Sequence, residues 1–191
     1  MHWLCRKTED FSRESLDQAL SQLSPSRYAH ILRMRHQKDR DRSVAAQLLV
    51  QELMAQLGLP SAPIHRAENG QPYLENSDLC ISLSHSGDMV ACALSDVPVG
   101  IDIEKIRPMD LRLCRRYFTS EEQAFVLGDM AIPENPVCED PAVLNRFFEV
   151  WTGKEAYFKR LGTGITDLRS VNILPLQRQC HQIDGYMLQI L

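Results

Sequence analysis

No two of the six cysteines stand in a C-x-x-C spacing: Cys5, Cys80, Cys92, Cys114, Cys138 and Cys180 are scattered along 191 residues. That scatter argues against a zinc site or a disulfide framework and reads as reduced, mostly buried thiols. The longest apolar run, residues 89–94, is far too short to cross a bilayer. The opening residues, Met1-His-Trp-Leu-Cys-Arg-Lys7, lack the apolar stretch of a secretion signal. These absences predict a cytoplasmic protein with no membrane partner. An excess of positive charge is missing too, since 21 Lys and Arg stand against 25 Asp and Glu. The net charge of −4 argues against nucleic acid as a partner. What remains is ordinary: 44% hydrophobic and 24% charged side chains suffice for one large domain or two small ones without metal or disulfide staples.

The charge is unevenly placed. Residues 27–42 hold Arg27, Arg33, Arg35, Lys38, Arg40 and Arg42 against Asp39 and Asp41, and residues 105–116 hold Lys105, Arg107, Arg112, Arg115 and Arg116 against Asp110. Such clusters favour phosphate or an acidic protein surface, or are solvated helix faces.

The first sixty residues read as helices. Leu16, Ala19, Leu20 and Leu23 recur at helical spacing, and Ser24-Pro25 reads as an N-cap with proline at N1 opening a second helix. After a break near Asp39, Val44, Leu48, Leu49, Leu53 and Leu57 form another stripe that Gly58 and Pro60 terminate. From residue 63 to 104 the pattern becomes an antiparallel meander of short strands at 64–66, 73–74, 79–84, 89–94 and 99–104. Helices return at 110–118, 120–128 and 143–161, before weaker strands at 171–174 and 184–190. Residues 129–141, with Pro133, Pro136 and Pro141, read as a mobile loop. Helices followed by strands thus occur twice, which predicts an α+β fold of two similar halves, residues 1–98 and 99–191, with no repeat at residue level.

Two segments carry the chemistry. In Val99-Gly-Ile-Asp-Ile-Glu104, alternation sets Asp102 and Glu104 on one face and Val99, Ile101 and Ile103 on the other. In Phe147-Phe-Glu-Val-Trp-Thr-Gly-Lys-Glu-Ala-Tyr-Phe-Lys159, helical spacing aligns Phe148, Trp151, Glu155 and Phe158, so that a carboxylate stands in an apolar stripe where an unpaired charge is costly. One divalent cation shared by Asp102, Glu104 and Glu155 removes that cost, and three oxygen donors suit Mg²⁺ better than zinc. Blander readings stand beside this one. Asp102 and Glu104 are otherwise a solvated strand face, and Lys159 pairs with Glu155 at i+4. Glu122 is a further acid, or closes the capping box Thr119-Ser-Glu-Glu122. His85, in Ser82-Leu-Ser-His-Ser-Gly87, helps to surround a phosphate or sits in an ordinary turn.

Taken in order, Ser-Pro before a basic helix, Gly70-x-Pro72, Ile81-Ser-Leu-Ser-His-Ser-Gly87, Val99-Gly-Ile-Asp-Ile-Glu104, Arg116-Tyr-Phe-Thr119 and Trp151-Thr-Gly-Lys-Glu-Ala-Tyr-Phe-Lys159 resemble the 4′-phosphopantetheinyl transferase superfamily. The closer likeness is to its long, surfactin-synthetase-activating (Sfp) type. The resemblance covers residues 20–165. It implies transfer of phosphopantetheine from coenzyme A to a serine of an acyl or peptidyl carrier protein, with release of adenosine 3′,5′-bisphosphate. By position it implies Asp102, Glu104 and Glu155 as ligands of Mg²⁺, and Glu155, Lys159 and Asp102 as catalytic residues, with Glu155, or a water it orients, as the base. It also implies Lys154 and Lys159 on the phosphates, with Arg27, His30, Arg42, Ser43, Ser84 and His85 holding the adenosine and 3′-phosphate of coenzyme A. Residues 105–116 with Tyr117 and Phe118 become the carrier-docking surface. The implied architecture is a monomeric pseudo-dimer with the site at the junction of its halves.

Gln71 stands where the family commonly has lysine, and so does His30, which implies fewer phosphate contacts. These departures motivate a rival expectation, a non-catalytic module that binds coenzyme A or a carrier. A metal-dependent phosphohydrolase accounts for the acids and lysines but not for the basic helix.

Overall fold

The computed structural model describes residues 1–130, 132, 134–164 and 166–191. The first half runs β1 (His2–Lys7), α1 (Arg13–Ser21), α2 (Pro25–Leu32), α3 (Gln37–Gln56), β2 (Ile64–Arg66), β3 (Pro72–Leu74), β4 (Cys80–Ser86) and β5 (Met89–Ser95). The second runs β6 (Ile101–Lys105), β7 (Met109–Asp110), α4 (Arg112–Tyr117), α5 (Ser120–Leu127), β8 (Val137–Cys138), α6 (Pro141–Leu161), β9 (Gln179–Ile183) and β10 (Tyr186–Ile190). The fold is α+β, as expected.

The two halves share one connectivity. In the first, β1 pairs with β5, and β5 with its hairpin partner β4; in the second, β6 pairs with β10, and β10 with its hairpin partner β9, every pair antiparallel. The long helix of each half lies on its sheet: α3 on β5, and α6 on β6 and β10. The apolar stripe of α3 buries Val44, Leu49 and Leu53, and α6 buries Phe147, Phe148 and Phe158. Each such side chain stabilises its packing by about 1.5–3 kcal/mol.

Several local expectations are corrected. His2–Lys7 is a strand, not helix, because it finds a full-length partner in β5, and tertiary pairing overrides a weak local signal. The break before α3 falls at residues 33–36, and Asp39 lies inside the helix. The meander ends at β5, since β6 crosses to the other sheet. Residues 171–174 are not a strand: their carbonyls receive Lys154 and Arg178 instead. The strand β9, polar and on a sheet edge, carries no apolar alternation to betray it. Of the proline-rich stretch, Val137–Cys138 pairs with Met109–Asp110 and Pro141 opens α6, while Pro133 lies outside the described residues.

The halves are joined in two ways. An apolar cluster gathers Met89, Ala91 and Ala93 from β5 with Ile101 and Ile103 from β6 and Leu188 and Ile190 from β10. Beside it, β4 and β6 run parallel, and serine hydroxyls take the place of a backbone ladder. Ser82, Ser84 and Ser86 accept from the backbone N–H of Ile101, Ile103 and Lys105, at 3.0, 3.2 and 3.1 Å. The buried amides of Ile101 and Ile103 are thereby satisfied without backbone pairing between the two sheets, at the usual net worth of about 1 kcal/mol each.

Gly100, just before β6, permits the approach of α6. A Cβ there would overlap the backbone carbonyl oxygen of Ala156, and a backbone atom has no rotamer by which to move away. Gly100→Ala should therefore cost at or beyond the upper end of about 1–3 kcal/mol. Urea unfolding should show a lower midpoint than the parent chain; an unchanged midpoint would contradict this packing.

Candidate active site

The strand β6 and the helix α6 bring three carboxylates together. Alternation turns Ile101 and Ile103 into the shared core and leaves Asp102 and Glu104 on the opposite face. The helix α6 is begun by Asp140, whose side chain accepts from the N–H of Ala142 and Val143, and ended by Gly162 in the left-handed conformation. Its buried stripe of Phe148 and Phe158 fixes the rotation that aims Glu155 at β6. One carboxylate oxygen from each of Asp102, Glu104 and Glu155 lies within 4.8 Å of the others.

Lys159 does not pair with Glu155 as its i+4 spacing allows. Its ammonium donates to Asp102 Oδ1 at 2.7 Å, to Ser84 Oγ at 3.0 Å and to the Ile101 carbonyl at 3.2 Å. All three of its hydrogens are engaged. Ser84 in turn donates to the same Asp102 oxygen at 2.7 Å, while Ser86 donates to Glu104 Oε2 at 2.7 Å. The other oxygen of Asp102, in a residue only 1% exposed, has no hydrogen-bond partner among the described residues.

Three carboxylates therefore face one ammonium. Two like charges at this separation repel by roughly 3 kcal/mol at an effective dielectric near 20. Burial, then the charge on Asp102, pushes Glu155 up to about 7 against the opposing pull of Lys159. Burial also raises Glu104, opposed by the hydrogen bond from Ser86. His85 is lowered, first by burial and then by Arg42 and Lys159, so its imidazole stays neutral at neutral pH. The orphaned Asp102 oxygen, the oxygen-only donor set and the surplus of negative charge all fit a hard divalent cation.

A cleft of about 260 Å³ opens over these acids and is also lined by Arg27, Ser43, Arg66 and His85. Arg27 donates to Ser43 at 2.7 Å, and burial lowers it to about 10, which leaves it cationic. Arg27, Ser43 and Arg66 also border a second cavity of about 270 Å³ that includes His30. A third, of about 210 Å³, lies past Lys159 beside Gln71 and again includes Arg66. Arg66 thus touches all three. Sequence reasoning passed it over, and the only signal was a lone base just before the Asn69-Gly70 turn.

Residues 10–96 match the family described as 4′-phosphopantetheinyl transferase, N-terminal, and residues 98–184 match the 4′-phosphopantetheinyl transferase superfamily. The chain belongs to this superfamily. It is 31% identical to the 4′-phosphopantetheinyl transferase gsp of Aneurinibacillus migulanus, an overlap of 76% of this chain and 58% of that protein. It is likewise 31% identical to psf-1 of Bacillus pumilus, over 81% and 64%, and 28% identical to Sfp of Bacillus subtilis (strain 168), over 81% and 67%. The chain spans about three fifths of the length of the first two of these relatives.

Three positions picked out by the phosphopantetheinyl transferase resemblance sit elsewhere than expected, and a fourth, Ser84, lines the cleft with its hydroxyl already committed. Lys154 does not face the cleft. Its ammonium, fully buried, pairs with Glu122 at 2.6 Å and donates to the carbonyls of Leu168 and Val171, both at 2.6 Å. Glu122 is accordingly both cap and counter-ion: it accepts from the Thr119 amide at 2.8 Å as the capping box requires, and from Ile173 N at 2.9 Å. Arg42 is held by Asp39 and the Gly87 carbonyl and borders a different cavity, with Lys38 and Asp88. The Ser84 hydroxyl is fully used within the seam, with one bond donated and two accepted. Phe118 is core, packed on Phe147 with ring centroids 5.2 Å apart, whereas Arg115 and Arg116 beside it are exposed.

Lys154→Ala would strand the buried Glu122 charge and should lower stability by about 3–5 kcal/mol in chemical unfolding. Pairing Glu122→Gln with Lys154→Met should restore most of that loss. Glu155 behaves oppositely. Its folded-state pKa lies above its ordinary value near 4.5, so its contribution to stability is complete below about 4.5 and lost as pH rises through about 7. In EDTA, Glu155→Gln should therefore raise the melting temperature by a few degrees at pH 8. That gain should shrink steadily towards pH 5, and an equal gain at both pH values would contradict the assignment.

Proposed function

We propose that this chain transfers the 4′-phosphopantetheine group of coenzyme A to a serine of an acyl or peptidyl carrier protein, with release of adenosine 3′,5′-bisphosphate. The observation that carries this reading is the meeting of Asp102, Glu104 and Glu155 at the mouth of a cleft whose other end is basic. Family membership supports it independently. Asp102, Glu104 and Glu155 would hold Mg²⁺. When bound, Mg²⁺ neutralises the pyrophosphate of coenzyme A and polarises the phosphoryl group under attack.

The chain's own groups supply the rest. Glu155, or a water it orients, is the candidate base for the proton of the carrier serine. Lys159 acts through its charge and by holding Asp102, since its hydrogens are already committed; the Ile101 carbonyl, its longest bond, is the one a phosphate oxygen would displace. Arg27 and Arg66 form the basic end for the adenosine 3′-phosphate, with arginine suited to bidentate contact, and His30 and His85 contribute hydrogen bonds there. Ser43 orients Arg27. The exposed Lys105, Arg107, Arg115 and Arg116 attract an acidic carrier and speed its encounter. We further take the enzyme to act as a cytoplasmic monomer, its halves joined near residues 98–99. Among the described residues, no helix is long and apolar enough to cross a membrane.

Incubation with coenzyme A, Mg²⁺ and a panel of apo carrier proteins should add the mass of phosphopantetheine to at least one carrier. Asp102→Ala and Glu155→Gln should each slow that transfer by about 10²-fold or more. Binding of both ligands without adenosine 3′,5′-bisphosphate release would mark a non-catalytic module, and phosphate release without any carrier would mark a phosphohydrolase.

A further inference from the structure

The serines of β4 are not equivalent, and the difference has a chemical meaning. Each accepts a backbone N–H of β6, but only two of them pass their own hydrogen on to an acid. Ser84 donates to Asp102, one residue before the Ile103 amide it receives, and Ser86 donates to Glu104, one residue before the Lys105 amide it receives. Ser82 receives the Ile101 amide and has no carboxylate in this register, because position 100 is glycine. A hydroxyl has one hydrogen and two acceptor sites, so accepting from the amide fixes where its hydrogen can point. The amide thus aims the hydroxyl, and the hydroxyl aims the carboxylate.

We propose that Ser86 is the positioning residue of Glu104, and that its hydroxyl sets the affinity of the acidic cluster for a divalent cation. The proposal rests on the reading of Asp102, Glu104 and Glu155 as a cation site. Glu104 is the acid that needs such help. Asp102 is held by Lys159 as well as Ser84, whereas Ser86 is the hydrogen-bond donor to Glu104 among the described residues. With one Glu104 oxygen engaged at 2.7 Å, the side chain loses rotamers that would swing it into solvent, and the cluster is pre-organised before a cation arrives. Groups that orient metal ligands in this way typically govern 10- to 100-fold of metal affinity. Ser86 reaches Glu104 from the first half while Glu104 and Glu155 belong to the second, so cation affinity is tied to closure of the seam.

The test is a titration of Mg²⁺ into the full chain saturated with coenzyme A, followed by melting temperature. Ser86→Ala should need about 10- to 100-fold more Mg²⁺ for half of the maximal shift, and Ser86→Thr, which keeps the hydroxyl, should titrate as the parent does. Ser82→Ala is the control for the seam alone. It should melt lower without Mg²⁺ yet reach half of its shift at the parent concentration. Equal titration of Ser86→Ala and the parent would overturn the proposal, as would a change in Ser82→Ala as large as that in Ser86→Ala. A parent chain that does not respond to Mg²⁺ would instead overturn the cation site itself.

Discussion

The structure depends on how one buried carboxylate is held. Asp102 lies where β4, β6 and α6 meet, and its Oδ1 receives hydrogen bonds from Ser84 and Lys159. Those two residues come from opposite halves of the chain. A charge removed from water costs several kcal/mol unless partners repay it, and taking away one partner leaves that cost exposed. Separating the halves would break the Ser84 bond, free the amides of Ile101, Ile103 and Lys105, and open the apolar cluster between β5 and β10. Association of the halves and assembly of the site are consequently one event.

The shared connectivity of the halves makes their differences informative. In the first half, the strand that pairs with the last strand of the sheet, β1, is linked to its long helix α3 by Arg6 and Glu52 at 2.6 Å, both substantially exposed. In the second, the corresponding β6 and α6 are linked by Asp102 and Lys159 at 2.7 Å, with Asp102 sealed from solvent. An exposed pair is worth about 0–1 kcal/mol and is dispensable. The buried pair leaves one oxygen of Asp102 without a hydrogen-bond partner among the described residues, in a residue grouped with Glu104 and Glu155. The same topological position is a surface ornament in one half and the foundation of the acidic cluster in the other, and what changes is that β6 is covered by β4 along its free edge.

How much of this was legible in the sequence follows from the range over which each signal acts. Asp102 and Glu104 on one strand face, Glu155 in the apolar stripe of α6, and the Ser24 and Thr119 helix starts were readable because each is set by periodicity or by neighbours three or four residues away. The fate of Lys154 was not, since it depends on Glu122 and on carbonyls at Leu168 and Val171 that only the folded chain brings near. For the same reason Phe118, beside basic residues in sequence, turned out to be core. The segment holding the serines at 82, 84 and 86 read as a phosphate-surrounding turn or an ordinary one. Their role as a hydrogen-bonding edge for a strand of the other half lies in a register some nineteen residues away, where local patterns carry no information.

The arrangement also dictates an order among ligands. A phosphate entering the cleft from its basic end meets Arg27 and Arg66 first, then three carboxylates whose one ammonium is already saturated by Asp102, Ser84 and Ile101. Like charges at such distances repel by a few kcal/mol per pair, more than a single charged hydrogen bond returns. An anion therefore gains little by advancing past the arginines unless a cation accompanies or precedes it. A divalent cation held by these acids would, together with Lys159, cancel the charge of the three carboxylates, so that the barrier to an anion would be removed. If the acids hold a cation as proposed, they would discriminate between an anion alone and an anion with its metal, a selectivity that follows from counting the charges around one buried aspartate.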